Sequence, residues 1–242
     1  MIWPDPHFDW AATILTALIV VFLVAVLPWI GRRRYAALAA RPARPGRLVK
    51  VYLRSAATWW PLAALVALLP VISPGIRPAD LGLVLPTGGA AIATVVVLFG
   101  LLVGLSLVWW RIGRRGLGDT PPPRWQALIP RTRRERQLAV LAAVTAGVCE
   151  EVVFRGLLIA AGIGLLGLHP GFSVVLAAAV FGLGHAYQGV GNVIRTAVMG
   201  VVFGLLYGLS GSLVGPAVLH TAVDLFGFLV LSRLPMPEPA PE

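Results

Sequence analysis

The chain has 242 residues, of which 58% are hydrophobic and only 12% charged, and its mean hydropathy is +0.85. A soluble domain would carry about 25% charged residues, so this composition excludes one, along with a disordered chain and a collagen-like repeat. The only cysteine, Cys149, excludes a disulfide scaffold. A net charge of +10 would suggest a nucleic-acid partner if it covered a globular face. Here the basic residues flank apolar blocks, so membrane topology accounts for the charge and no nucleic acid is expected.

Apolar blocks of about 17 to 23 residues are long enough to cross a bilayer. In chain order they fall at 11–30, 55–72, 89–110, 138–160, 172–187, 193–209 and 213–231. The expected fold is therefore all-α, a polytopic integral membrane helix bundle of about seven transmembrane helices embedded in lipid. Tryptophans mark the edges, as interfacial indoles do: Trp10 and Trp29 around the first block, Trp59 and Trp60 near the start of the second, Trp109 and Trp110 closing the third.

Two stretches are rich in arginine. The segment from Gly31 to Arg54 holds Arg32, Arg33, Arg34, Arg41, Arg44, Arg47, Lys50 and Arg54, and a second runs from Arg111 to Gln137. By the positive-inside rule both face the cytoplasm. Ser73 to Gly88 carries only Arg77 as a basic residue, and the arm before Ala11 carries Asp5 and Asp9 without Lys or Arg, so both belong outside. The N-terminus is then outside and the C-terminus inside. The arm lacks the positive region of a cleavable signal peptide, so the first span is expected to be retained. Prolines at 42, 45 and 121–123 read the basic loops as irregular. Residues 1–130 thus form N-terminal transmembrane helices with two basic cytoplasmic loops, and the proline-rich stretch 233–242 is a disordered tail. Gly200, Gly204 and Gly208 share one helix face, a spacing that lets a neighbouring backbone approach closely.

Six ionisable residues fall inside the apolar blocks of the C-terminal half: Glu150, Glu151, Arg155, His185, His220 and Asp224. Each costs roughly 3 kcal/mol at the bilayer centre, so together they call for pairing, water or a function. Glu151 and Arg155, four apart, share a helix face and can pair, while Glu150 points about 100 degrees away and is left to handle a proton. A structural ion pair pinning two helices is the plainer alternative. His220 and Asp224 are also four apart, so the carboxylate can orient the imidazole. Two histidines and a glutamate can bind zinc or activate water, although the spacing is not that of HExxH and the ligands would come from three helices. Glu150 lies about 18 Å into its span from the cytoplasmic side, and His220 about 10 Å from the outer side. His185 comes out nearer the cytoplasm, about 21 Å from the outer end of its span. Cys149 beside Glu150 invites a cysteine-nucleophile reading, but a buried free thiol is more often a small core residue. Tyr187 and Arg195 lie near the cytoplasmic edge, where they could meet a substrate carboxylate, although a snorkelling anchor is the commoner use of such an arginine.

The segments AGVCEEVVFRG, FGLGH and HTAVD resemble the EExxxR, FxxxH and Hxxx(N/D) motifs of the CPBP family, in the same order and on separate apolar segments. That family comprises CAAX-type prenyl-protein endopeptidases and bacterial relatives, some linked to bacteriocin immunity. The resemblance implies that residues 131–232 are a CPBP-like catalytic helix core. It implies that Glu150 activates the attacking water, supported by Glu151 and Arg155, and that His185 assists or binds a metal. His220 and Asp224 would stabilise the oxyanion or complete a metal site of Glu150, His185 and His220. Asp224 stands where the family often has Asn; an ionised Asp can only accept a hydrogen bond, which favours it as the orienter of His220. One divalent metal, zinc foremost, and a metal-free glutamate mechanism both remain open at this point.

The leading expectation is an intramembrane endopeptidase that hydrolyses a peptide bond of a membrane-associated protein or peptide. A non-catalytic membrane binder or immunity-type protein is the first alternative. A proton-coupled transporter is the second, disfavoured because the ionisable residues are confined to one half and no broken-helix repeat is present. The preference for Arg over Lys, with abundant Ala, Gly and Pro, points to a GC-rich bacterial genome and so to a bacterial cytoplasmic membrane. Prenylated substrates need not exist there, so the resemblance implies the reaction rather than that substrate.

Overall fold

The computed structural model describes residues 1–40, 46–86 and 129–231, with five isolated positions between Gly89 and Gly104. All regular structure among them is helical, in six main helices. The first, α1 (Trp10–Ala39), begins where the Asp9 carboxylate accepts from the Ala12 N–H at 2.8 Å. It passes Pro28 through a π-helical turn over Phe22–Val26, in which the Leu27 N–H bonds to the Phe22 carbonyl five residues back. Helix α2 (Arg47–Ile72) runs through Pro61 and is interrupted at Leu68. A single 3₁₀ turn, Pro78–Leu81, follows.

Helix α3 (Arg133–Gly164) starts at a capping box, in which the Thr132 hydroxyl accepts from Glu135 and the Glu135 carboxylate accepts from Thr132. Helix α4 (Pro170–Gly184) is capped by His169 and has Pro170 at its first turn. Helices α5 (Val190–Ser210) and α6 (Val214–Leu231) complete the bundle.

Four of these helices, α1, α2, α3 and α5, are long and apolar enough to cross a membrane, and α4 and α6 are shorter apolar helices. Among the described residues six of the seven expected spans are helices, four as full-length candidates and two as shorter apolar helices. Expected span 89–110 and tail 233–242 lie outside the described residues, apart from the isolated positions. The arginine-rich edges differ from the expected irregular loops: α1 continues through Arg32, Arg33 and Arg34 to Ala39, and α2 already begins at Arg47. Arginine is a good helix former, and its long side chain carries the charge away from the apolar surface. Arg33 does so while lying 4.2 Å over the Trp29 ring.

The main core is a large apolar cluster joining α1, α2, α3, α4 and α5, with Leu23, Trp59, Phe154, Phe181 and Tyr207 among its members, beside two smaller clusters around Leu48 and Phe203. Trp59, Phe154 and Phe181 meet in sequence across α2, α3 and α4, one pair tilted and the next edge-to-face, with ring centroids 5.9 and 5.0 Å apart. The glycine face of α5 packs as its spacing predicts. A Cβ on Gly200 would come within 2.9 Å of Ala178, and one on Gly204 within 2.7 Å of Val174, both on α4. Gly208 is covered by the Trp3 ring of the N-terminal arm.

That arm is tied to one end of the bundle. The Ile2 N–H donates to the Gly208 carbonyl at 2.6 Å and the His7 N–H to Gly75 at 2.9 Å. The Asp5 N–H donates to Asp80 at 3.2 Å. Asp80 is buried in the 3₁₀ turn, and it also accepts from the Arg77 N–H at 2.8 Å and from the Arg77 guanidinium at 3.0 and 2.9 Å. Burial pushes its carboxyl up, but the Arg77 side chain and the two backbone donors outweigh it and hold the group below the usual carboxylate range. At the opposite end Glu135 accepts from the Leu48 N–H at 3.1 Å, and Tyr35 packs on Tyr187. The acidic arm and the described part of the Ser73–Gly88 connection therefore share one end of the molecule, and the described parts of both basic segments share the other.

Candidate active site

Glu150 and Glu151 lie near the middle of the 32-residue helix α3. The backbone there is widened into two π-helical stretches, Ala146–Glu150 and Val152–Leu158, on either side of Glu151. Widened turns of this kind are frequent at functional sites because they re-aim side chains out of the ordinary helical register. Gly147 lets α6 close on this stretch: a Cβ there would collide with the Thr221 side chain and meet the Ala217 carbonyl at 2.8 Å. The contact brings His220 against the glutamates.

Four of the six expected residues converge. Arg155 Nη1 donates to Glu151 Oε1 at 2.7 Å, the expected pairing four residues apart. His220 Nδ1 donates to the same oxygen, also at 2.7 Å. His220 Nε2 then faces Glu150 Oε2 at 3.9 Å, too far for a direct hydrogen bond. All four side chains are buried, and Glu150 Oε2, Glu151 Oε2 and Arg155 Nη2 have no hydrogen-bond partner among the described residues. The Glu150 carboxylate is thus left with an uncommitted oxygen, whereas Glu151 is engaged by two donors.

His185 lies at the C-terminal end of α4 and is half-buried. Its Nδ1 donates to the Phe181 carbonyl at 2.9 Å, and since a carbonyl can only accept, Nε2 is the nitrogen left free. Both imidazoles pack against the Phe181 ring, at 5.0 Å for His185 and 5.7 Å for His220. His185 therefore joins the site through that ring and has no hydrogen bond to the carboxylates. Asp224 sits one turn beyond His220 on α6, half-buried, without a hydrogen bond to it. The orienter of His220 is Glu151 on the neighbouring helix, in place of the expected Asp224. Cys149 is wholly buried in the apolar core, as its structural reading expects.

Among the described residues no three His, Cys, Asp or Glu side chains are grouped closely enough to hold a metal ion. Glu150 faces His220, and each histidine donates its Nδ1–H to an oxygen, which leaves both Nε2 atoms open to a ligand, but His185 is not grouped closely with the other two in this arrangement.

Two aromatic residues complete the surroundings. The Arg155 guanidinium lies 4.4 Å from the centre of the Phe181 ring and 5.2 Å from that of Phe203 on α5. Phe181 is legible as the first residue of its motif. Phe203 carries no motif, and its position three residues after Gly200 is the only hint that it faces inward.

Residues 134–226 match the family model described as type II CAAX prenyl endopeptidase, Rce1-like. Neither a curated protein nor a solved structure matches the chain.

Proposed function

Since the chain belongs, through residues 134–226, to the Rce1-like type II CAAX prenyl endopeptidase family, we propose that it is an intramembrane endopeptidase acting on a membrane-associated protein or peptide. The observation that carries this reading is the uncommitted Glu150 Oε2, buried beside His220 Nε2 at 3.9 Å. A water drawn to that oxygen gives its proton to Glu150 and attacks the scissile carbonyl, whose electron pair moves onto oxygen. His220, held by Glu151, turns Nε2 toward the developing oxyanion and donates to it when that nitrogen is protonated. Glu150 returns the proton to the leaving amine as the tetrahedral intermediate collapses. His185 Nε2 assists in placing water or substrate at the basic end of the site, and Asp224 adds a negative charge beyond His220. Glu151 and Arg155 position His220 rather than react.

The site lies inside a bacterial cytoplasmic membrane, with the acidic N-terminal arm outside and the arginine-rich end in the cytoplasm. The positioning of the arm against the Ser73–Gly88 connection supports that arrangement. The deciding experiment compares new protein N-termini, by terminal proteomics, in membranes of cells producing the wild type or Glu150→Gln at equal levels. Termini created only by the wild type are expected; identical sets of termini would overturn the reading and favour a non-catalytic binder.

A further inference from the structure

Arg155 is buried to 2% exposure, yet among the described residues Nη1 has a hydrogen bond and Nη2 has none. A guanidinium withdrawn from water needs other compensation, and the quadrupole of an aromatic face provides it. The two faces available are Phe181 and Phe203, at 4.4 and 5.2 Å. Phe203 is itself only 1% exposed, and its ring lies 5.4 Å from that of His220 at an interplanar angle of 32°. One side chain thus touches both donors that share Glu151 Oε1.

Its placement follows from packing. Gly200 and Gly204 bring α5 directly onto α4, and this close approach fixes the wall from which Phe203 projects. Two carboxylate oxygens stand unpaired nearby, one on Glu150 and one on Glu151. A guanidinium free to swing would satisfy Nη2 on one of them; held against aromatic faces, it leaves the Glu150 oxygen for water.

We propose that Phe203 is a positioning residue of the active site, its ring fixing Arg155 and His220 on Glu151 and so keeping Glu150 uncommitted. The catalytic part of this proposal rests on the peptidase reading above; the positioning part rests on geometry alone.

The test uses full-length protein in proteoliposomes, with an internally quenched farnesylated peptide as probe. Phe203→Leu removes the ring while keeping apolar bulk, and Phe203→Tyr keeps the ring. Leu is expected to lower kcat about tenfold with KM within about twofold of wild type, and Tyr to restore most of it, because small misplacements of catalytic groups cost rate more than binding. Unchanged kcat in the Leu variant, or equal loss in both variants, would overturn the proposal. A second measurement needs no turnover: with labelled histidine the four imidazoles are followed by NMR. In Phe203→Leu the His220 signals should shift while those of His7 and His169 stay. An unmoved His220 overturns the proposal; a wild type that leaves the probe intact counts against prenylated peptides as its substrate, the peptidase reading itself being decided by the terminal proteomics, and the NMR result still decides the positioning role.

Discussion

Glu151 uses one oxygen for two donors, and that economy separates the two adjacent acids. Removing Glu151 strands a buried Arg155 beside His220, and an uncompensated buried charge costs about 3 to 5 kcal/mol. Glu151→Ala should therefore lower the unfolding midpoint in detergent sharply as well as abolish cleavage. Glu150→Gln should abolish cleavage while changing stability by less than about 1 kcal/mol, since Oε2 makes no hydrogen bond among the described residues. Equal destabilisation by both would contradict the division of roles. The pairing of Glu151 with Arg155 was legible from the sequence because both lie on one helix face. The partner of His220 was not: Asp224 is four residues away on the same helix, but the face of α6 that meets α3 is chosen by the fit at Gly147, which no pattern within one helix records.

At the level of elements, two features set where the glutamates point, namely the π-helical widening around Glu151 and the contact of α6 with Gly147. A methyl group at 147 would meet backbone atoms of α6, the Thr221 N at 2.7 Å and the Ala217 carbonyl at 2.8 Å, which cannot rotate aside. Gly147→Ala should cost about 1 to 3 kcal/mol and reduce cleavage by shifting His220. Gly191, with open space around it in α5, is the control: Gly191→Ala should be neutral or slightly stabilising in the same thermal assay. Helix existence was legible from apolar length, and the five apolar blocks outside 89–110 that follow the first all coincide with observed helices. The ends were not, because arginine continues a helix beyond the hydrocarbon layer that the length rule measures: α1 runs to Ala39 and α2 starts at Arg47. The capping box at Thr132 and Glu135 was the readable signal for the start of α3, five residues ahead of the apolar block.

For the molecule as a whole, the end bearing the N-terminal arm is organised by Asp80, and it gives stability a dependence on acid. The carboxyl sits lower in the folded protein than the value of about 3.9 expected in an unfolded chain, so its contribution is complete above that value and disappears as the pH falls through the lower folded value. The unfolding midpoint should therefore drop below about pH 4, and Asp80→Asn should be less stable at neutral pH and lose this component of the acid response. A variant whose acid profile matches the wild type would refute the assignment.

The same arm has a consequence for how the protein is made. Ile2 and Trp3 are made before every helix of the bundle, yet their partner, Gly208, lies at the end of α5. The arm has to wait while α1 to α5 are made, first meeting Gly75 and Asp80 and only afterwards the end of α5. Its docking thus follows the insertion of α5, open to a chain in which that helix runs in the right direction and denied to one that stops short of it.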